Sequence, residues 1–152
     1  MAKRDDILSA TLDLISEIGL QSTTFSKIFK RANVGAGTFY HYFENKEALV
    51  CELYTRTIDH FSATVLVGYD PAESTYGCFR RLMANMAAYA YTYPKELWFV
   101  ENYAHSPFIP EETHYRKIPL ITACFSLVLR GQAEHITRDW HLMLCVPLII
   151  GV

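Results

Sequence analysis

Apolar positions recur three and four residues apart along the whole chain and nowhere alternate over the length of a strand. Ile7, Leu8, Thr11, Leu12, Ile15 and Ile18 make the first such stripe, and Gly19 stands where a helix would stop. Thr24 is placed to cap a short helix in which Ile28 and Phe29 face inward and Ala32 ends the run. Asn33-Val34-Gly35 reads as a turn, because Asn tolerates the left-handed backbone conformation and Gly adopts it freely. A very short helix over about residues 36–42 follows. Asn45 then caps a long helix that carries Leu49, Leu53, Tyr54, Ile58, Phe61 and Val65 as far as Gly68. Asp70-Pro71-Ala72-Glu73 has the form of a further helix start, with an acidic cap, Pro at the first helical position and Glu three residues on. From there Tyr76, Phe79, Met83, Met86, Ala90 and Tyr93 keep the period. Pro94 opens a short helix through Trp98 and Tyr103, and residues 106–110 form a loop. Glu111 and Glu112 suit the first turn of a helix running to Arg130, with its end at Gly131 or just after. A last helix is expected from about Arg138. The pattern predicts an all-α fold: a three-helix head over residues 1–48 and a larger helical body over 49–152, bridged by the fourth helix.

With 152 residues, 51% of them apolar and 20% charged, the chain is long enough to hold a core without disulfides or metal. The same figures exclude a disordered or collagen-like protein. Its 14 basic and 16 acidic residues leave a net charge of −2, so no global field draws it to nucleic acid or membrane. Binding of that kind has to be local. Cys51, Cys78, Cys124 and Cys145 contain no CxxC pair and read as buried thiols of a reducing compartment. The N-terminus turns acidic at Asp5-Asp6 with no apolar signal stretch, and the apolar run 140–152 is too short for a bilayer span of about 20 residues. A cytoplasmic chain with no membrane contact is expected, cut short within its last helix, since that run ends with neither cap nor polar tail. No HExxH, GxSxG or Gly-rich phosphate loop is present, and His60, His105, His114, His135 and His141 are scattered. Neither catalysis nor a cofactor or metal is expected.

Residues 24–43 have the layout of a helix-turn-helix, two short helices joined by a tight turn at Asn33 and Gly35. Residues 20–43 contain Lys27, Lys30 and Arg31 and no acid, a local positive patch in a head whose charges balance as a whole. Gly35, Ala36 and Gly37 leave the start of the second helix bare, so its backbone can approach a phosphate or a groove floor. Thr38, Tyr40 and His41 then offer hydroxyl and imidazole groups to phosphates or base edges. Phe39 and Phe43 fit the buried seam of the motif. Lys46 stands in the first turn of the fourth helix, where the macrodipole disfavours a cation, and a phosphate partner would explain it. The contact set expected is Thr24, Lys27, Ala36, Gly37, Thr38, Tyr40, His41 and Lys46.

On these residues the chain resembles the TetR-type (TetR/AcrR) transcriptional regulators. The resemblance rests on Ile7-Leu8 with Ala10, Gly19, Thr24, Ile28, Ala32-Asn33-Val34, Gly37-Thr38-Phe39-Tyr40, His41-Tyr42-Phe43 and Lys46-Glu47-Ala48-Leu49. Phe29, Asn33 and Gly35 depart from the usual Ala, Gly and Ser, and the last change removes a helix cap. The resemblance implies a homodimeric regulator, in most cases a repressor, that binds a near-palindromic operator in double-stranded DNA. It also implies a helical body with a cavity for a small-molecule effector. Within that body Met83, Met86, Tyr89, Tyr93, Trp98, Phe99, Tyr103, His105 and Phe108 supply more aromatic surface than an ordinary core needs, which suits a hydrophobic or aromatic ligand. Residues 118–129 and 140–152 are apolar nearly all round and are the expected dimer helices. The rival readings, a helical interaction protein without DNA binding or a small helical enzyme, leave the acid-free turn region without a use.

Overall fold

The computed structural model describes residues 2–104, 106–110, 113 and 118–137, and the described residues contain seven helices. Helix α1 (Ala2–Ser22) is interrupted at Gly19, whose φ of 76° and ψ of 162° suit a residue without a side chain. Its buried side carries Ile7, Leu8, Thr11, Leu14, Ile15 and Leu20, whereas Ile18 is exposed. Helix α2 (Phe25–Ala32) buries Ile28 and Ala32, and Phe29 is only half-buried. Thr24 stands at its N-cap without a side-chain capping bond, contrary to the sequence expectation. Asn33 ends α2 in the left-handed conformation (φ 51°, ψ 52°), but Gly35 is extended at φ −82°, so one residue of the turn suffices to reverse the chain. Helix α3 (Ala36–Tyr42) follows, and Phe43 leaves it extended.

Helix α4 (Lys46–Val65) starts as its sequence predicts, with the Asn45 Oδ1 accepting the Ala48 N–H at 2.7 Å. Gly68, at φ 67°, lies in the turn beyond its end. Helix α5 (Thr75–Thr92) begins later than expected. Asp70 instead closes a turn on itself: its carboxylate accepts from Ala72 N–H at 2.9 Å and its carbonyl from Glu73 N–H at 3.0 Å. Ser74 caps α5, taking the Gly77 N–H on its hydroxyl at 3.1 Å. The buried line of α5 is Thr75, Cys78, Leu82 and Tyr89. Tyr76, Phe79 and Tyr93 of the sequence stripe are exposed, while Met83, Met86 and Ala90 are half-buried.

Helix α6 (Pro94–Tyr103) has Pro at its first turn and buries Phe99 and Val100. Helix α7 (Ile118–Ala133) runs through Gly131, which does not stop it. The chain returns over that glycine, and a Cβ there would lie 3.1 Å from the Thr137 hydroxyl, so the missing side chain serves close approach. His135, at φ 56°, takes the left-handed position after the helix. Glu111 and Glu112, and the helix expected from Arg138, lie outside the described residues.

Two compact units result, Met1–Thr57 with Tyr93–Thr113, and Ile58–Thr92 with His114–Val152. The first is cored by Ile7, Ile15, Ile28, Phe39, Leu49, Tyr54 and Phe99. The second is cored by Ile58, Val65, Cys78, Leu82, Tyr89 and Leu120 and is tied by polar bonds to backbone. There Arg130 donates to the carbonyls of Pro71 (2.8 Å) and Glu73 (2.6 Å), and Asn85 to those of Val65 and Val67 (2.9 Å each). Cys51, Cys78 and Cys124 are free thiols. Among the described residues no helix is long and apolar enough to cross a membrane.

Candidate nucleic-acid interface

Phe39 is fully buried and is the ring on which α3 is mounted. Phe25 meets it edge-on at 5.3 Å, Phe29 at 5.2 Å and Phe43 at 5.7 Å between ring centroids. Phe29, unusual at its position, thus enlarges the seam between α2 and α3. The Arg4 guanidinium covers the Phe43 ring from α1 at 5.8 Å. With Phe39 committed inward, Ala36, Gly37, Thr38, Tyr40 and His41 are all exposed. No heavy atom lies within 4 Å of where a Cβ would stand at Gly35 or Gly37, so both glycines bare the backbone without serving internal packing. Tyr40 packs its ring 5.3 Å from Phe39 yet remains 54% exposed. His41 contacts the Tyr42 ring edge-on at 4.9 Å. Thr24, at the start of α2, is exposed as well.

The charge around this face differs from the sequence expectation. Arg31 makes a two-pronged bond to Glu17 of α1, at 2.9 and 2.7 Å, so one of the three cations is already paired. That bond holds the Glu17 carboxyl below the usual carboxylate range and raises Arg31. Lys27 is exposed and donates to the Ser22 carbonyl at 2.9 Å. Lys46 is half-buried and donates to the Leu20 carbonyl at 2.7 Å, and burial lowers its pKa. The cation at the start of α4 therefore has an internal reason: it sits at the carbonyl end of α1, where a helix dipole favours positive charge. Glu17 and Leu20 carried no motif. Only the glycine break, which leaves nearby backbone groups in need of partners, pointed to the second.

The residues named for a ligand are divided between the two units. Met83, Met86 and Tyr89 belong to the second, where Tyr89 is buried against the rings of Phe61 (5.0 Å) and His60 (5.4 Å). Tyr93, Trp98, Phe99, Tyr103 and Phe108 belong to the first. Phe99 is fully buried there, and Tyr93 and Trp98 are exposed. Tyr103 and Phe108 alone among them line an open cleft of about 430 Å³, with Ile18–Gln21 of α1 opposite. Tyr103 accepts the Leu20 N–H on its hydroxyl at 3.2 Å. His105 lies outside the described residues, as does 140–152 of the expected dimer surface. Among the described residues no cluster of three or more metal-ligating side chains occurs.

Residues 7–53 match the family model of the bacterial regulatory proteins, tetR family. An HTH-type transcriptional regulator of Haemophilus influenzae is 31% identical over 103 residues, covering 68% of this chain and 55% of that protein. The chain thus spans about half the length of that relative. A tetR-family regulatory protein from Rhodococcus RHA1 has the same fold at a TM-score of 0.88 and 11% identity, over 98% of this chain and 80% of that one. AibR, solved with isovaleryl coenzyme A and operator DNA, matches at a TM-score of 0.85 and 18% identity, over 98% and 82%. At such identities the likeness to the solved structures is one of fold. Over residues 7–53 this chain carries the N-terminal region of the bacterial regulatory proteins of the tetR family.

Proposed function

We propose that the chain is a sequence-specific DNA-binding transcriptional regulator, a cytoplasmic homodimeric repressor released by a small hydrophobic or aromatic effector, and not an enzyme. The observation that carries this is α3, which buries a single ring and presents Ala36, Gly37, Thr38, Tyr40 and His41 outward. In this reading residues 36–41 enter the major groove, with Thr38 and His41 at base edges, while Thr24, Tyr40, Lys27 and Lys46 hold phosphates. Lys46 gives one ammonium proton to Leu20 and keeps two for a phosphate. Residues 1–48 are the DNA-binding part, and 49–152 supply the ligand site and, through 118–129 and 140–152, the dimer. Two heads then read half-sites about 34–36 Å apart, or a multiple of that spacing. AibR, crystallised with both an acyl-coenzyme A and operator DNA, supports a reading in which one chain of this fold serves both kinds of partner.

Selection of bound DNA from a random pool tests the reading, followed by titration of the selected site against salt. Lys46 is half-buried and ties α4 to α1, whereas Lys27 is exposed and bonds only to the nearby Ser22 carbonyl, so Lys27→Ala is the cleaner probe of phosphate contact. It should weaken binding to all sequences alike and reduce the salt slope by about 1. Thr38→Ala should instead change which sequences are selected. A pool that yields no enriched sequence overturns the proposal. Failure of every hydrophobic or aromatic compound tried to release the selected DNA would overturn the effector half alone.

A further inference from the structure

Beside the Gly19 interruption of α1, the backbone of Leu20 is bonded by side chains of two other helices. Its N–H donates to the Tyr103 hydroxyl of α6 at 3.2 Å, and its carbonyl accepts from the Lys46 ammonium of α4 at 2.7 Å. The same carbonyl accepts the Thr23 N–H at 3.3 Å, and the Thr23 hydroxyl donates to the Gly19 carbonyl at 2.8 Å. Thr24, the next residue, is the N-cap of α2. The corner that leads into α2 thus takes one ammonium and one phenol from other helices, beside α2's own Lys27 on the Ser22 carbonyl and Arg31 on Glu17.

The phenol is itself held in place. The Tyr103 ring lies 5.3 Å from Phe99 and 5.8 Å from Trp98 on its own helix. Phe99 is fully buried and meets Tyr54 of α4 edge-on at 6.3 Å. We infer that Tyr103 is a positioning residue for the DNA-reading head: its hydroxyl, reaching from α6, sets Leu20 and through it the start of α2. It touches no DNA. The inference rests on the DNA-binding reading above and assigns to α6, some fifty residues beyond the head in sequence, part of the control over that head.

Tyr103→Phe removes the hydroxyl and keeps the ring with its packing on Phe99 and Trp98, so the variant should retain the helix content and unfolding midpoint of the parent within a few degrees. Two readouts decide the matter in the full chain. Amide exchange at Leu20 should accelerate, since its acceptor is gone. Affinity for the selected DNA should fall about three- to tenfold, the range expected for one hydrogen bond, with an unchanged slope against salt because no phosphate contact is lost. Parental affinity in Tyr103→Phe overturns the inference, and so does a loss of affinity with Leu20 exchange unaltered. A loss accompanied by a shallower salt slope also overturns it, by making the hydroxyl a phosphate contact. A parent chain that enriches no DNA at all is the distinct failure of the functional reading, seen before any variant is made, and the inference falls with it.

Discussion

Helices α3 and α5 solve the problem of facing in opposite ways. In α3 Phe39 goes inward, the residues left outside are small or polar apart from Tyr40, and that exposed ring still packs against Phe39, so one anchor sets the facing. In α5 the inward line begins with Thr75 and Cys78, while Tyr76 is 68% exposed and Phe79 42% exposed. Directional bonds set that choice. Cys78 donates to the Asp70 carbonyl at 3.1 Å, Asn85 to two carbonyls at and just past the end of α4, and Thr75 to the Glu134 carboxylate at 2.8 Å. Apolar area is worth the same on either side of a helix, so where both sides carry aromatics the polar partners decide. The difference teaches that a short helix is oriented by its one anchor and a long one by its ties.

That contrast can be broken most forcefully at Phe39. Phe39→Ala empties a fully buried site ringed by three phenylalanines and should cost about 3–5 kcal/mol in urea unfolding followed by far-ultraviolet circular dichroism. Next comes Arg130→Met, which strips charge-assisted bonds from the Pro71 and Glu73 carbonyls. A loss of about 1.5–3 kcal/mol is expected by the same measurement. Asn85→Leu leaves the Val65 and Val67 carbonyls without their donor and should cost about 1 kcal/mol despite adding apolar bulk to α5. A gain in stability there would mean that hydrophobic area, not polar ties, orients the helix. Tyr76→Ala should change stability by less than about 0.5 kcal/mol; an effect as large as that of Phe39→Ala would erase the distinction altogether.

The smallest effect concerns the exposed pair that supplements the rings under α2. Hydrogen bonding to Arg31 lowers the Glu17 pKa in the folded chain. Its contribution is therefore present above the ordinary carboxylate range and is lost as pH falls through the lowered value. Acid titration of stability should show the difference between the parent and Glu17→Gln shrinking towards zero at low pH and widening, slightly, at neutral pH.

The head was legible because its signals are local. Asn33 takes the left-handed turn, Asn45 caps α4, Pro94 opens α6, and Phe39 and Phe43 go inside, each decided within a few residues of itself. The exposed face of α3 followed from the same logic. The start and phase of α5 did not, since Asp70-Pro71 fits a turn as well as a cap and its aromatic stripe is compatible with either side. The internal bonds of Lys46 and Arg31 were not legible for a related reason. Their partners, Leu20 and Glu17, are 26 and 14 residues away and belong to another helix. The end of α7 just after Gly131, at Ala133, was legible, but the Thr137 side chain that the glycine accommodates was not, because it comes from beyond the helix end.

A seven-residue helix also has a timetable. It spans about two turns, fewer than an isolated helix needs to repay its nucleation, so α3 cannot precede its support. Its ladder, from Phe39 N–H on the Gly35 carbonyl to Phe43 N–H on that of Phe39, closes only once Phe25, Phe29 and Phe43 are in place to receive the ring. On a growing chain that moment comes after residue 43 has emerged and α2 has formed. In the finished protein the same dependence runs backwards: α3 is expected to open when Phe39 leaves its seat, so its amide protons should exchange together.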